Sequence, residues 1–119
     1  MPCQFSDSFR SAIDPTRKKL WVNGKWEGYY LQNGNRHSQS LQLAFAQGTM
    51  SGTGDDEIGK FLIFGEYDAQ ENTTAWIKQY LGKHQVLYEG QMANGRITGQ
   101  WLIRGTILSF GDGFELWRN

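Results

Sequence analysis

Residues 73–103 read TTAWIKQYLGKHQVLYEGQMANGRITGQWLI, and this stretch decides the fold. Three apolar-rich runs, Thr73 to Leu81, Gln85 to Met92 and Arg96 to Ile103, are separated by Gly82-Lys83-His84 and by Asn94-Gly95. Within the first run Trp76, Lys78 and Tyr80 fall on one side and Ala75, Ile77, Gln79 and Leu81 on the other. In the second, Val86, Tyr88 and Met92 oppose Leu87, Glu89 and Gln91. A period of two belongs to a β-strand. Asn-Gly accepts positive φ at both of its positions, as tight hairpin turns require. Three strands joined by two short turns make an antiparallel meander.

The same punctuation extends outward. Lys25 to Leu31 reads as a first strand closed by Asn33-Gly34. A second runs from about Ser38 to Ala46, with Leu41, Leu43 and Phe45 on one face and Ser40, Gln42 and Ala44 on the other; Gln47-Gly48 turns it into a short third strand, Thr49 to Thr53. Gly54-Asp55-Asp56-Glu57-Ile58-Gly59 is polar and glycine-rich and is expected to be a loop. Lys60 to Asp68 is the fourth strand, and Phe114 to Arg118, after Gly111-Asp112-Gly113, is the eighth. So many short strands in sequence leave edges that are best removed by closing the sheet. The expected fold is all-β, an eight-stranded antiparallel up-and-down barrel. Gly28, Gly65, Gly90 and Gly99, each within two residues of an aromatic residue, sit where strands of a closed sheet bend or approach closely.

Residues 1–20 have a different pattern. Phe9 and Ile13 stand at i, i+4, Asp7 can cap, and Asp14-Pro15 stops the segment, which predicts a helical turn over residues 7–13. The chain therefore divides into an N-terminal segment, 1–20, carrying a short helix, and a single barrel domain, 21–119.

Composition narrows the function. Twelve Lys plus Arg balance twelve Asp plus Glu, so no overall field would hold the chain to nucleic acid or to an anionic membrane. The neutral sum conceals a basic stretch in residues 1–36 and an acidic one in residues 55–71. Cys3 is the one cysteine, which excludes an internal disulfide and a cysteine-based zinc site. No apolar run is long enough for a membrane helix and the start lacks signal-peptide regions, so the expectation is a cytoplasmic protein.

Gly24-Lys25-Trp26 opening the first strand, Asn33-Gly34, and Gly48-Thr49-Met50-Ser51-Gly52-Thr53 together resemble, in order and rough spacing, the first hairpins of avidin and streptavidin in the calycin superfamily. The resemblance implies a barrel in which Trp26 is buried beneath a basic side chain near the last strand, Arg118 or Arg104, in a cation-π contact. Where the biotin-binding pattern has Asn and Ser, this chain has Gly28 and Gln32, so the resemblance carries a fold and leaves the ligand open. A wider set, including Gly65-x-Tyr67, Trp76-x-Lys78-x-Tyr80, His84-x-Val86-x-Tyr88-x-Gly90 and Gly99-x-Trp101, resembles a family of small barrels with no assigned activity.

An eight-stranded barrel has room either for its own side chains or for one small ligand. Trp76, Lys78, Tyr80, His84, Tyr88 and Trp101 supply the aromatic walls and polar groups of a ligand site. The plainer placement puts the same rings on the outer face with the Lys78 ammonium in water. The acids Asp55, Asp56 and Glu57 lack the spacing of a calcium loop and are expected to be solvated; His37 and His84, beside turns, make no metal site without a third ligand. No nucleophile elbow and no phosphate loop occurs. The leading expectation is a binding barrel without a cofactor or metal that takes a small, partly apolar molecule. The alternatives are a filled scaffold for protein contacts and a cofactor-free enzyme, an isomerase or cyclase, using Lys78, Tyr80 and Glu89. Seventeen aromatic side chains exceed what a small lumen holds, which predicts outer apolar surface and a homodimer built on Trp76, Tyr88 and Trp101.

Overall fold

Asn33 and Gly34 have φ of 53° and 81°, Gln47 and Gly48 50° and 83°, and Asn94 and Gly95 54° and 77°. These three positive-φ pairs match the right-handed twist of the strands they join. In the computed structural model, which describes residues 20–104 and 109–118, they connect strands of one sheet. The strands are β1 (Gly24–Gln32), β2 (Asn35–Ala46), β3 (Thr49–Asp56), β4 (Lys60–Asp68), β5 (Thr73–Tyr80), β6 (Gln85–Ala93), β7 (Arg96–Arg104) and β8 (Ser109–Arg118). Each pairs antiparallel with its neighbours in chain order, and β8 returns to pair with β1 from Trp26↔Arg118 to Tyr30↔Phe114. The sheet is a closed eight-stranded antiparallel barrel, as the punctuation predicts. The helical turn expected over residues 7–13 lies outside the described residues. No helix among the described residues is long and apolar enough to cross a membrane.

Closure needs close backbone approaches at particular strand positions. A Cβ on Gly28 would collide with the Glu115 carbonyl oxygen, and one on Gly99 would collide with the Glu89 carbonyl and the Cα of Gly90. Glycine is required there by contact with the neighbouring strand.

Three boundaries differ from expectation by three residues or more, the first being β2, which begins at Asn35 instead of about Ser38. Asp55 and Asp56 belong to β3, opposite Ser40 and Gln39 of β2, so the loop shrinks to a turn over Glu57–Gly59. The alternation Met50, Gly52, Gly54, Asp56 keeps its phase and carries the Asp56 side chain inward; polarity alone misreads it. β8 begins at Ser109 instead of Phe114, because Gly111 and Gly113 pair with Leu102 and Gln100 inside the ladder.

The lower end of the barrel, where β1 starts, is plugged by aromatic rings. Trp21 packs on Phe45 and Tyr67 at centroid distances of 5.5 and 5.0 Å, and Asn23 Oδ1 accepts the Phe45 backbone N–H at 2.7 Å. Trp26 is fully buried, as expected. Its Nε1 donates to the Val22 carbonyl at 2.9 Å and its ring meets the edge of Phe45. Arg118 is its register partner in β8 but is exposed, and the cations over aromatic rings among the described residues are Arg36, Lys78 and Arg96. The expected arginine contact on Trp26 is replaced by this aromatic and backbone packing.

Candidate functional site

β5 presents Thr74, Trp76, Lys78 and Tyr80 to the barrel interior. The plainer placement of these residues on the outer face is therefore corrected: Lys78 is 1% exposed, and Trp76, Tyr80, Tyr88 and Trp101 are all buried. They cannot form an outer contact surface, so a dimer built on Trp76, Tyr88 and Trp101 is excluded as drawn.

Lys78 crosses the lumen from β5 to groups on β2 and β3. Its Nζ donates to Asp56 Oδ2 at 2.6 Å, to Gln39 Oε1 at 3.0 Å and to the Tyr88 hydroxyl at 3.4 Å. The Asp56 side chain is wholly buried. Tyr80 donates its hydroxyl to the same Asp56 Oδ2 at 2.6 Å, while Asp56 Oδ1 accepts the Ile58 backbone N–H at 2.9 Å. The rings of Phe61, Tyr30, Tyr80 and Tyr88 surround Nζ at 4.3, 4.7, 4.9 and 5.5 Å, within cation-π range. One ammonium and one carboxylate share a cage with no net charge. A pair this deep costs desolvation, and the additional hydrogen bonds around it are what make it tolerable.

Burial dominates the acid–base behaviour. It pulls the Lys78 ammonium down to about 8, against the opposing pull of the Asp56 carboxylate. The Tyr30 phenol is pushed up to about 12, first by burial and then by the charges of Asp56 and Glu57. Tyr80 and Tyr88 stand well above the ordinary phenol range, again chiefly through burial; the hydrogen bond to Asp56 is the next cause at Tyr80. All three phenols are hydroxyl donors at neutral pH.

Above this cage the barrel opens into a cavity of about 580 Å³. Tyr30, Tyr80, Tyr88, Trp101, Val86 and Ile103 form most of its wall, and Gln32, Asn33, His84 and Asp112 stand at its polar mouth. Trp101 is held by Nε1 donating to the Leu31 carbonyl at 2.8 Å. The turn that carries Ile58 to the mouth is pinned by Lys83 Nζ donating to the Ile58 carbonyl at 2.8 Å. The volume lies within the range of small-molecule sites.

Among the residues expected at a site, Tyr80, Tyr88 and Trp101 line the cavity, and Lys78 lies beneath it inside the cage. His84 stands at the mouth, tilted against Tyr80 at 5.0 Å. Trp76 is set back, stacked on Tyr88 at 5.1 Å and 9°, and supports the wall from behind. Glu89 is exposed on the outer face, so the trio Lys78, Tyr80 and Glu89 is not assembled. The carboxyl group that joins Lys78 and Tyr80 is Asp56, which the sequence places in a solvated loop. Gln39 is the other unforeseen member. It lies opposite Asp56 in the β2–β3 register, and its Nε2 is buried without a hydrogen-bond partner. His37 Nδ1 donates to Glu57 Oε1 at 2.6 Å and its ring stacks on Tyr30, and no cluster of three metal-ligating side chains occurs among the described residues.

Comparisons with protein-family models, curated proteins and solved structures returned no match to the chain.

Proposed function

We propose that the protein is a calycin-type binding barrel whose upper cavity takes a small, uncharged, largely apolar molecule bearing a hydrogen-bond acceptor. The observation that carries this reading is the joining of a cavity of about 580 Å³ to a charge-balanced cage. Because Asp56 neutralises Lys78, a charged ligand finds no uncompensated counter-ion beneath the cavity and would lose its hydration there. A neutral carbonyl or ether oxygen loses far less and meets phenol hydroxyls. The rings of Trp101, Tyr30 and Tyr88 favour a flat ligand. A scaffold with a filled interior is disfavoured by the same volume.

The test uses a neutral solvatochromic naphthyl ketone as probe. Its emission should shift to the blue and saturate at one molecule per chain. Ile103→Trp, a half-buried position at the mouth, should weaken binding at least tenfold with the melting temperature held. No saturable binding by the intact chain, or equal binding by the variant, defeats the proposal.

A cofactor-free isomerase or cyclase is the second reading, favoured by the Tyr80 phenol, which lines the cavity and is hydrogen-bonded to Asp56. In D2O, that reading expects exchange of the protons next to the probe's carbonyl above the buffer rate, and loss of the excess in Tyr80→Phe. Exchange at the buffer rate removes it.

A further inference from the structure

The outer face of β4, read from one end to the other, is Lys60, Leu62, Phe64, Glu66, Asp68, and all five are exposed. A cation stands four residues to one side of Phe64 and an acid four residues to the other. The neighbouring strands continue the gradient. Across the middle, Phe64 lies opposite Ile77, Ile77 opposite Leu87, and Leu87 opposite Leu102, an unbroken apolar row over four strands. Above it come Gln79 and Gln85, then exposed Leu81 and Lys83 at the turn; below it come Ala75 and Glu89, then Thr73 and Gln91. Leu62, Phe64 and Leu81, at 42%, 47% and 54% exposure, are the prominent apolar side chains on the surface among the described residues.

Shape follows the same gradient. Below the apolar row the surface sinks into a groove of about 840 Å³ whose wall includes Glu66, Asp68, Ala75, Glu89, Gly90 and Gly99. On β4 to β6, large side chains and cations therefore stand above the row and small side chains and acids lie below it; the cation at the lower end of β7, Arg96, is paired with Glu115. Asp55, opposite Lys60 in β3, borders this patch and forms no ion pair with it among the described residues.

A face graded in this way is complementary to itself when turned end over end. We infer that the β4–β7 face is the interface of a homodimer, with a two-fold axis running along the row Phe64, Ile77, Leu87. Rotation about that axis stacks the two apolar rows. It places Lys60 and Leu81 of each copy over the acidic groove of the other, so that Lys60 meets the partner's Glu66 and Asp68. The alternative two-fold, parallel to the strands and midway between β5 and β6, would lay β4 on the partner's β7 and bring Lys60 toward the partner's Arg104. Like charges facing across an interface disfavour it. Isologous contact of this kind is the commonest assembly of soluble chains.

Light scattering of the full chain across micromolar concentrations should give twice 13.6 kDa. Phe64→Asp should give a folded monomer, because the position faces outward. Lys60→Glu enters the interface twice; at about fivefold for each exposed pair the dissociation constant should rise about 25-fold. Adding Glu66→Lys to Lys60→Glu should recover most of that loss. The two positions are roughly 20 Å apart along one strand, so recovery reports pairing between copies. A monomeric intact chain overturns the inference, whether residues 1–19 or another protein covers the face. So do a dimer that survives Phe64→Asp and a double variant no tighter than Lys60→Glu.

Discussion

Removing one member of the Lys78–Asp56 pair should cost far more than removing both. Lys78→Met leaves the Asp56 carboxylate buried with the Tyr80 hydroxyl and the Ile58 amide but without its counter-ion. Asp56→Asn turns an amide N–H2 toward two groups that are themselves donors, the Lys78 ammonium and the Tyr80 hydroxyl. Breaking a buried pair from one side costs about 3–5 kcal/mol, whereas replacing both partners by uncharged groups of similar volume is often close to neutral. The Asn variant has one escape, since Lys78 titrates near 8 and can shed its proton, which places it at the lower end of that range. For a domain of this size the single variants should lose roughly 10–20 °C in melting temperature. The double variant should lie within about 2 kcal/mol of the parent, a coupling energy of roughly 3 kcal/mol or more. Urea unfolding followed by Trp fluorescence at pH 7 supplies all four corners of the cycle. Additive losses, or single losses under about 1 kcal/mol, would refute the claim that the two charges depend on each other.

Three further outcomes follow from the same contacts. Lys78 holds its proton less tightly folded, near 8, than unfolded, near 10.5, so between those values the unfolded chain carries more protons and stability should rise with pH, by at most about 3 kcal/mol. Tyr30, near 12 folded against 10 unfolded, has the opposite sign and turns the curve down above pH 10. Stability against pH should therefore peak near pH 10, and the rise from pH 8 should vanish in Lys78→Met. Gly99→Ala should cost about 3 kcal/mol in urea unfolding, because its Cβ meets backbone on β6 that side-chain repacking cannot relieve. Glu89→Gln should change neither the free energy of urea unfolding, beyond about 0.5 kcal/mol, nor probe binding, since that side chain lies outside the lumen; a loss of probe binding would return Glu89 to the site.

The strand count was legible because the turn chemistry is local. Asn33-Gly34, Gln47-Gly48 and Asn94-Gly95 each need positive φ, and each marks a hairpin wherever the flanking runs alternate. Which face of a strand points inward is not local. β5 carries Trp76 and Tyr80 on one side and Ile77 and Leu81 on the other, so apolarity alone cannot choose between them. Lys78 weighed the decision toward water, because a lysine inside a barrel makes sense only once its partner is known. That partner was hidden among glycines and acids that resemble a loop. The phase from Met50 through Gly52 and Gly54 to Asp56 was the available signal, and it outlasts the polarity of the residues around it.

The β1–β8 seam bears on how the molecule is made. Every other strand pairs with one that precedes or follows it directly, so seven of the eight ladders can form as the chain lengthens. The eighth joins Trp26 to Arg118 and Tyr30 to Phe114, residues roughly ninety positions apart, and is the one ladder that local pairing cannot form. Until β8 has emerged from the ribosome the Trp26 edge of β1 is an unpaired template beside a half-exposed lumen. The nascent meander is consequently the form most open to chaperones and to intermolecular strand pairing. The lumenal lysine and aspartate stay wet through that interval. Their desolvation is deferred to the moment of sealing, so the final step of folding carries the electrostatic cost of burying the pair.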